Sequence, residues 1–442
     1  MGIGLTLFFL ICGYGYGQEG FRLPNGQKKD RIAFDFVNNL VVIPVEVNGK
    51  PLSFLLDTGV NYTLLFSLYE NDSLQINNVT PVKIRGVGSN GNIDALKSVH
   101  NNLKIGDAED KDHTFYVIFD EAINFSPRMG IPIHGVIGFD FFKDFVVRTD
   151  YVAEHITIFD PLQYKKKRCR NCEEMDLRMI GKKPYISQKI ESNGATYDVN
   201  LLIDSGASDA IWLFDEGMGI VEQPKNYFKD FLGLGLSGGV FGKRSKLDKV
   251  LLGRFEIPRV NVSYPDSIAL KSFKAFKDRS GTLGAGILKR FTVTMDYRSR
   301  QMTLRKNKFF GDPFHYNMAG LIVEHDGLVP ASEVKNGTGR SFNFASDEND
   351  STGKVSFNLQ PVFTFFLAPK YIVSEVRKGS PADLAEILQG DELISINGKA
   401  AYKYDLESIT ALFSSKSGRR INIVVNRDGA ILRKKFFLKE VL

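Results

Sequence analysis

The hexapeptides Phe54-Leu55-Leu56-Asp57-Thr58-Gly59 and Leu201-Leu202-Ile203-Asp204-Ser205-Gly206 decide the reading of this chain. In each, three apolar residues suited to a buried strand deliver an Asp, a small hydroxyl residue able to bond the adjacent backbone, and a Gly that permits a tight turn. One such triplet is an ordinary strand end. Two of them place a carboxyl group in each of two similar halves, and a carboxyl pair sharing one proton supplies an acid and a base together.

The spacing supports a repeat. Asp57 and Asp204 lie 147 residues apart, as do Gly86-Val87-Gly88 and Gly233-Leu234-Gly235, and Gly106 and Gly253. Further along, the segment from Gly135 (GVIGFDFFKDFVVRTDY) returns from Gly281 (GTLGAGILKRFTVTMDY) after 146 residues, so one deletion accounts for the slip. Val41 to Val47 is almost wholly apolar, as a buried strand requires, and Asn48-Gly49 and Asn193-Gly194 are two-residue hairpin turns leading into the Asp-bearing strands. Short helices are expected at Phe139 to Phe145 and Ala285 to Phe291.

On these residues roughly 35 to 305 resemble the retropepsin-like and pepsin-like aspartic peptidases. Val136-Ile137-Gly138 matches the apolar-apolar-Gly segment that crosses behind the catalytic loop in that superfamily; in Thr282-Leu283-Gly284, Thr282 departs from it. The resemblance implies a mainly β fold with two retropepsin-like β-barrel lobes, Asp57 and Asp204 as catalytic groups, and Thr58, Gly59, Ser205 and Gly206 as loop-bracing residues. It also implies flaps around Gly86, Gly88, Gly233 and Gly235, and a water activated between the two carboxyls, with no metal and no cofactor. Both Asp residues lie in one chain, so a monomer is expected. Val60 and Ala207 stand where pepsin-like enzymes carry a hydroxyl. Without that donor to the carboxylates, the expected activity peaks in weak acid to near neutrality.

A second module follows. The texture changes beyond residue 310, and YIVSEVRKGSPADLAEILQGDELISINGKA from Tyr371 reads as strand, turn, short helix, strand and hairpin turn. Gly379-Ser380-Pro381-Ala382, Gly390-Asp391 and Ile396-Asn397-Gly398 carry a resemblance to a PDZ domain, an α+β module that takes an extended peptide as an added strand. The resemblance implies a peptide groove at Phe366, Leu367, Tyr371, Ile372, Val373, Leu406 and Ile409. Pro369 has no amide hydrogen for a terminal carboxylate, which favours internal strands.

The expected organisation is an export signal over 1–17, the first lobe over 18–163, a linker with Cys169 and Cys172 over 164–183, the second lobe over 184–312, and the PDZ domain over 318–442 with a polar insertion at 333–358. The apolar, small-residue-rich start ending in Gly15-Tyr16-Gly17 indicates export to the periplasm or exterior, and no later apolar run is long enough to span a bilayer. The 442 residues, 43% hydrophobic and 24% charged, suffice for several cores. A net charge of +6 without a basic-aromatic stripe argues against nucleic-acid binding. Expected partners are polypeptide substrates and a peptide ligand of the PDZ domain.

Two rival readings stand beside this one. Gly235-Leu236-Ser237-Gly238-Gly239 imitates a serine-protease nucleophile loop, yet none of His100, His113, His134 or His155 has the Ala-x-His setting of that family. The other rival is a non-catalytic peptide-binding or assembly protein that uses an inactive peptidase-like scaffold.

Overall fold

The computed structural model describes residues 20–66, 74–85, 92–120, 123–166, 168–214, 226–235, 238–266, 279–335 and 362–442. The chain divides into two compact units, residues 1–316 with 441–442, and residues 317–440.

In the first unit, the first half contains β1 (Lys29–Ala33), β2 (Asp35–Val37), β3 (Leu40–Val47), β4 (Lys50–Leu56), β5 (Thr63–Leu65), β6 (Val79–Arg85), β7 (Asn92–Ile105), β8 (Ala108–Val117), β9 (Gly135–Ile137), β10 (Val146–Asp150) and β11 (His155–Phe159). The second half contains β12 (Cys172–Asp176), β13 (Arg178–Ile180), β14 (Lys183–Ser192), β15 (Ala195–Asp204), β16 (Ile211–Leu213), β17 (Phe228–Gly235), β18 (Gly238–Leu252), β19 (Phe255–Pro265), β20 (Gly281–Gly284), β21 (Phe291–Asp296) and β22 (Gln301–Lys306). One eight-stranded sheet runs β2-β3-β4-β9-β5-β8-β7-β6, and the other runs β13-β14-β15-β20-β16-β19-β18-β17. Strand for strand, the order is the same.

The two turns set the register. Asn48-Gly49 and Asn193-Gly194 all have positive φ, the conformation that reverses a hairpin in two residues. Val47 therefore faces Lys50, and Ser192 faces Ala195. Period-two alternation then sends Phe54, Leu56, Leu201 and Ile203 into the large core shared by both lobes, and turns Leu55 toward a second cluster with Leu40, Val42, Leu64 and Val136. Asp57 has the parity of Leu55, and Asp204 that of Leu202.

A six-stranded sheet, β1-β11-β10-β21-β22-β12, joins the lobes. At its centre β10 runs antiparallel to β21, with Arg148 opposite Thr294, Val146 opposite Asp296 and Asp150 opposite Thr292. Residues 146 apart exchange places about the Arg148–Thr294 pair, which puts an approximate two-fold axis there. The stretch 164–183, expected as a linker, thus contributes two strands, because β12 is needed to complete this sheet as β1 does on the other side. Cys169 and Cys172 form a disulfide at the start of β12. Short helices occupy Phe139–Phe142 and Ala285–Leu288, directly after β9 and β20.

The second unit contains β23 (Leu321–Lys335), β24 (Val362–Val376), β25 (Glu392–Ile396), β26 (Lys399–Ala400), β27 (Arg420–Arg427) and β28 (Ala430–Phe437), with helices Pro381–Leu384 and Leu406–Phe413. Ser380 and Asp405 cap the helices by accepting from the backbone N–H of Asp383 and Ser408. The turn at Gly390-Asp391 is pinned by the buried Asp391 carboxylate, which takes a two-pronged bond from Arg427 at 2.6 and 2.8 Å and a third from Leu388 N. Leu406, Ile409 and Phe413 repeat at helical spacing and are all buried. Residues 333–335 of the expected polar insertion belong to β23, and 336–361 lie outside the described residues.

Candidate active site

At the ends of β4 and β15 the two halves clasp each other through their hydroxyl residues. Thr58 N donates to Ser205 Oγ at 3.0 Å, and Thr58 Oγ1 donates to Ile203 O at 2.8 Å. The mirror pair is complete: Ser205 N donates to Thr58 Oγ1 at 3.0 Å, and Ser205 Oγ to Leu56 O at 2.8 Å. All four bonds are buried, so each hydroxyl satisfies backbone groups that would otherwise be stranded away from water.

The clasp drives the acidic turns together. A side chain on Gly59 would begin 2.8 Å from the Asp204 carboxyl carbon, and one on Gly206 would begin 2.3 Å from that of Asp57. A real Cβ at either position would have to push the opposite carboxyl away, so glycine is what lets the two acids stay close. Each Gly N–H also donates to the Asp two residues before it, at 2.6 Å for Gly59 to Asp57 and 3.1 Å for Gly206 to Asp204. Parallel strands β9 and β20 lie directly behind, pairing Leu56 with Ile137 and Asp204 with Gly284.

The two carboxyls are close enough that each turn glycine abuts the opposite acid and the charge of one acts on the other. Burial pushes Asp57 well above the ordinary carboxyl range, the Asp204 charge adds to the rise, and the Gly59 N–H and the Lys183 ammonium pull the other way. The pair therefore keeps a proton where an exposed Asp has lost it.

Asp57, Thr58, Gly59, Asp204, Ser205 and Gly206 are thus brought together. Gly233 and Gly235 lie in β17, whose hairpin with β18 closes at Gly235 opposite Gly238. Gly86 and Gly88 fall outside the described residues.

Four residues around the dyad were not singled out from the sequence. Tyr297, buried against Phe142 with ring centres 5.3 Å apart, has its hydroxyl raised well above the usual range by burial and by both Asp charges. Lys183 lies opposite Asp204 when the β14–β15 register is continued, and Tyr185 and Arg279 are buried on the same side. Counting back from Asn193-Gly194 would have found Lys183: a two-residue turn that pairs 192 with 195 also pairs 183 with 204.

Residues 43–141 match the family model described as aspartyl protease, and residues 372–427 match the PDZ domain model. The chain carries an aspartyl protease domain and a C-terminal PDZ domain. No curated protein matches it. The aspartyl protease match ends just past Gly138, so it covers Asp57 but not Asp204.

In the PDZ domain the expected groove needs correction. Tyr371, Ile372 and Val373 lie in β24, which is paired with β23 on one edge and touches β25 on the other through Ile372 opposite Glu392 and Val373 N to Asp391 O at 2.9 Å. A strand cannot be added where both edges are taken. Tyr371, Val373, Leu406 and Ile409 are core residues, Phe366 packs edge-on against Tyr402, and Leu367 is exposed. Among the described residues the end strands of this sheet are β23 and β28, and of the two it is β23 that packs against the helix Leu406–Phe413. Gly320-Leu321-Ile322 at its start is the edge an extended peptide would meet. Among the described residues no helix is long and apolar enough to cross a membrane.

Proposed function

We propose that this protein is an aspartic endopeptidase in which Asp57 and Asp204 activate one water between them, with the PDZ domain docking peptide segments. The observation that carries the reading is the reciprocal approach of each turn glycine to the opposite carboxyl, which brings the two acids to a common point. A non-catalytic scaffold has no need of a half-buried acid pair, since a second carboxyl raises the cost of burying the first.

With one proton shared by the pair, the member that holds it donates to the scissile carbonyl oxygen while the ionised member takes a proton from the attacking water. The addition yields a tetrahedral diol, and its collapse returns a proton to the leaving nitrogen. Thr58 and Ser205 keep the two turns at the separation this exchange requires. The hairpin β17–β18 covers an extended substrate from the second lobe. Val60 and Ala207 add no hydroxyl donor to either carboxyl, which places the working range in weak acid to near neutrality.

A single chain supplies both acids, so we propose a monomer. Export is proposed from residues 1–17, and the Cys169–Cys172 disulfide is in keeping with an oxidising compartment. Digestion of an unfolded protein or peptide library by wild type, Asp57→Asn and Asp204→Asn tests the activity. Cleavage by wild type alone supports the dyad, and equal cleavage by all three removes it from the mechanism.

A further inference from the structure

The face of each eight-stranded sheet that bears the catalytic Asp is built differently in the two lobes. Beside Asp57 the facing positions are Leu40, Val42, Leu55, Leu64 and Val136, which form one apolar cluster with Ile133. The matching positions beside Asp204 are Lys183, Tyr185, Leu202, Trp212 and Thr282, with Arg279 in the place of Ile133.

Lys183 is partly buried, and among the described residues no hydrogen bond or ion pair reaches its ammonium, although it feels the charges of Asp204 and Asp57. The Tyr185 ring is buried, and among the described residues its hydroxyl has no hydrogen-bond partner. Arg279 is buried, donates to Gly281 O and Thr282 Oγ1, and stacks over Phe214 at 5.0 Å. A buried hydroxyl and an unpaired cation are both costly unless something else satisfies them. Leucine and valine do the structural work at the same positions of the first lobe, so packing does not require them. With one proton on the dyad, Lys183 acts on a single carboxylate charge.

Resting on the peptidase reading above, we propose that Lys183, Tyr185 and Arg279 form a substrate subsite for a carboxylate on the Asp204 side of the cleft. The ammonium supplies the charge, the Tyr185 hydroxyl donates a hydrogen bond, and Arg279 contributes positive potential from behind. The first lobe's facing wall takes an apolar side chain. The carboxylate comes from a Glu or Asp side chain or from a peptide C-terminus, and the two sources share this chemistry.

The test uses the full chain and paired peptides that differ by Glu against Gln at each position flanking the cleaved bond, with free or amidated C-termini. At one position wild type should favour Glu in kcat/KM by roughly ten- to a hundredfold, the range for a hydrogen-bonded charge, and the preference should shrink with added salt. Lys183→Met should bring the Glu/Gln ratio close to one, and Lys183→Glu should turn it toward Lys-containing peptides. Tyr185→Phe should reduce the ratio without lowering Tm, since it removes an unsatisfied buried hydroxyl. Loss of the preference on amidation assigns the carboxylate to the C-terminus; its persistence assigns it to the side chain. Cleavage indifferent to Glu or Gln, or a Lys183→Met ratio equal to wild type, overturns the subsite and leaves the peptidase standing. If wild type cleaves nothing, the peptidase reading fails instead, and binding of the same labelled peptides to Asp204→Asn still decides the subsite: equal affinity for Glu and Gln forms overturns it.

Discussion

The two lobes share a strand order, a pair of hairpin turns and a reciprocal hydroxyl clasp, yet the walls beside their carboxyls are chemically opposite. Backbone pairing and the clasp are demands of the acid pair itself, and they are met identically on both sides. The outer layer is under no such demand. In the first lobe it is filled by Leu40, Ile133 and Val136, and in the second by Lys183, Arg279 and Thr282. What must be symmetric is the machinery that holds two acids together, and what is free to differ is the surface that meets an asymmetric chain.

The largest effect expected falls on the shared machinery. Asp57→Asn and Asp204→Asn should each reduce kcat/KM by about a thousandfold or more, because removing one member of a unit disables the whole. A variant retaining more than a tenth of wild-type peptide cleavage would break the equivalence of the halves.

Next comes the clasp. Thr58→Ala and Ser205→Ala each delete one accepted and one donated buried bond, for an expected cost of about 2–4 kcal/mol in denaturant unfolding. The double variant should cost less than the sum, since the four bonds share partners. Strict additivity would mean that the two halves of the clasp act independently.

The walls give a directional contrast. Leu40→Lys buries a charge in an apolar cluster and should destabilise by about 2–4 kcal/mol, whereas the reciprocal Lys183→Leu should be neutral or stabilising. Equal losses in thermal unfolding would erase the distinction between the lobes.

The dyad should also make stability depend on pH. Asp57 is raised above its ordinary 3.8, so between that value and its folded value the native state binds more protons than the unfolded chain. Its contribution is complete below pH 3.8 and is lost as pH rises through the folded value. Asp57→Asn should therefore raise Tm relative to wild type at neutral pH, with the gap closing in acid. A gap that stays constant over the titration would show that the acid pair carries no burial cost. Smallest of all, replacing Cys169 and Cys172 with Ser should lower stability by less than about 2 kcal/mol, because the closed loop is very short, and peptide cleavage should be unaffected.

Much of this was legible in the residues. Asn-Gly turns have one preferred hairpin geometry, an Asp-Thr/Ser-Gly turn after three apolar residues marks a strand end, and a 146–147-residue period exposes the repeat. The PDZ groove was misplaced because strand propensity at Tyr371-Ile372-Val373 says that a strand forms and not whether its edges are free. Lys183 was passed over because a single Lys at a strand start reads as an exposed charge until the register is counted.

Local chemistry thus determined the strands, the turns and the identity of the acid pair, since backbone preference and side-chain period act over a few residues. Only the tertiary structure decided that Gly59 abuts Asp204 and Gly206 abuts Asp57, that Lys183 stands opposite one acid where Leu40 stands opposite the other, and that β23 rather than β24 is an edge of the PDZ sheet. Those facts depend on contacts between residues more than a hundred positions apart, or on which strand lies next to which, and neither is written into any short stretch of sequence.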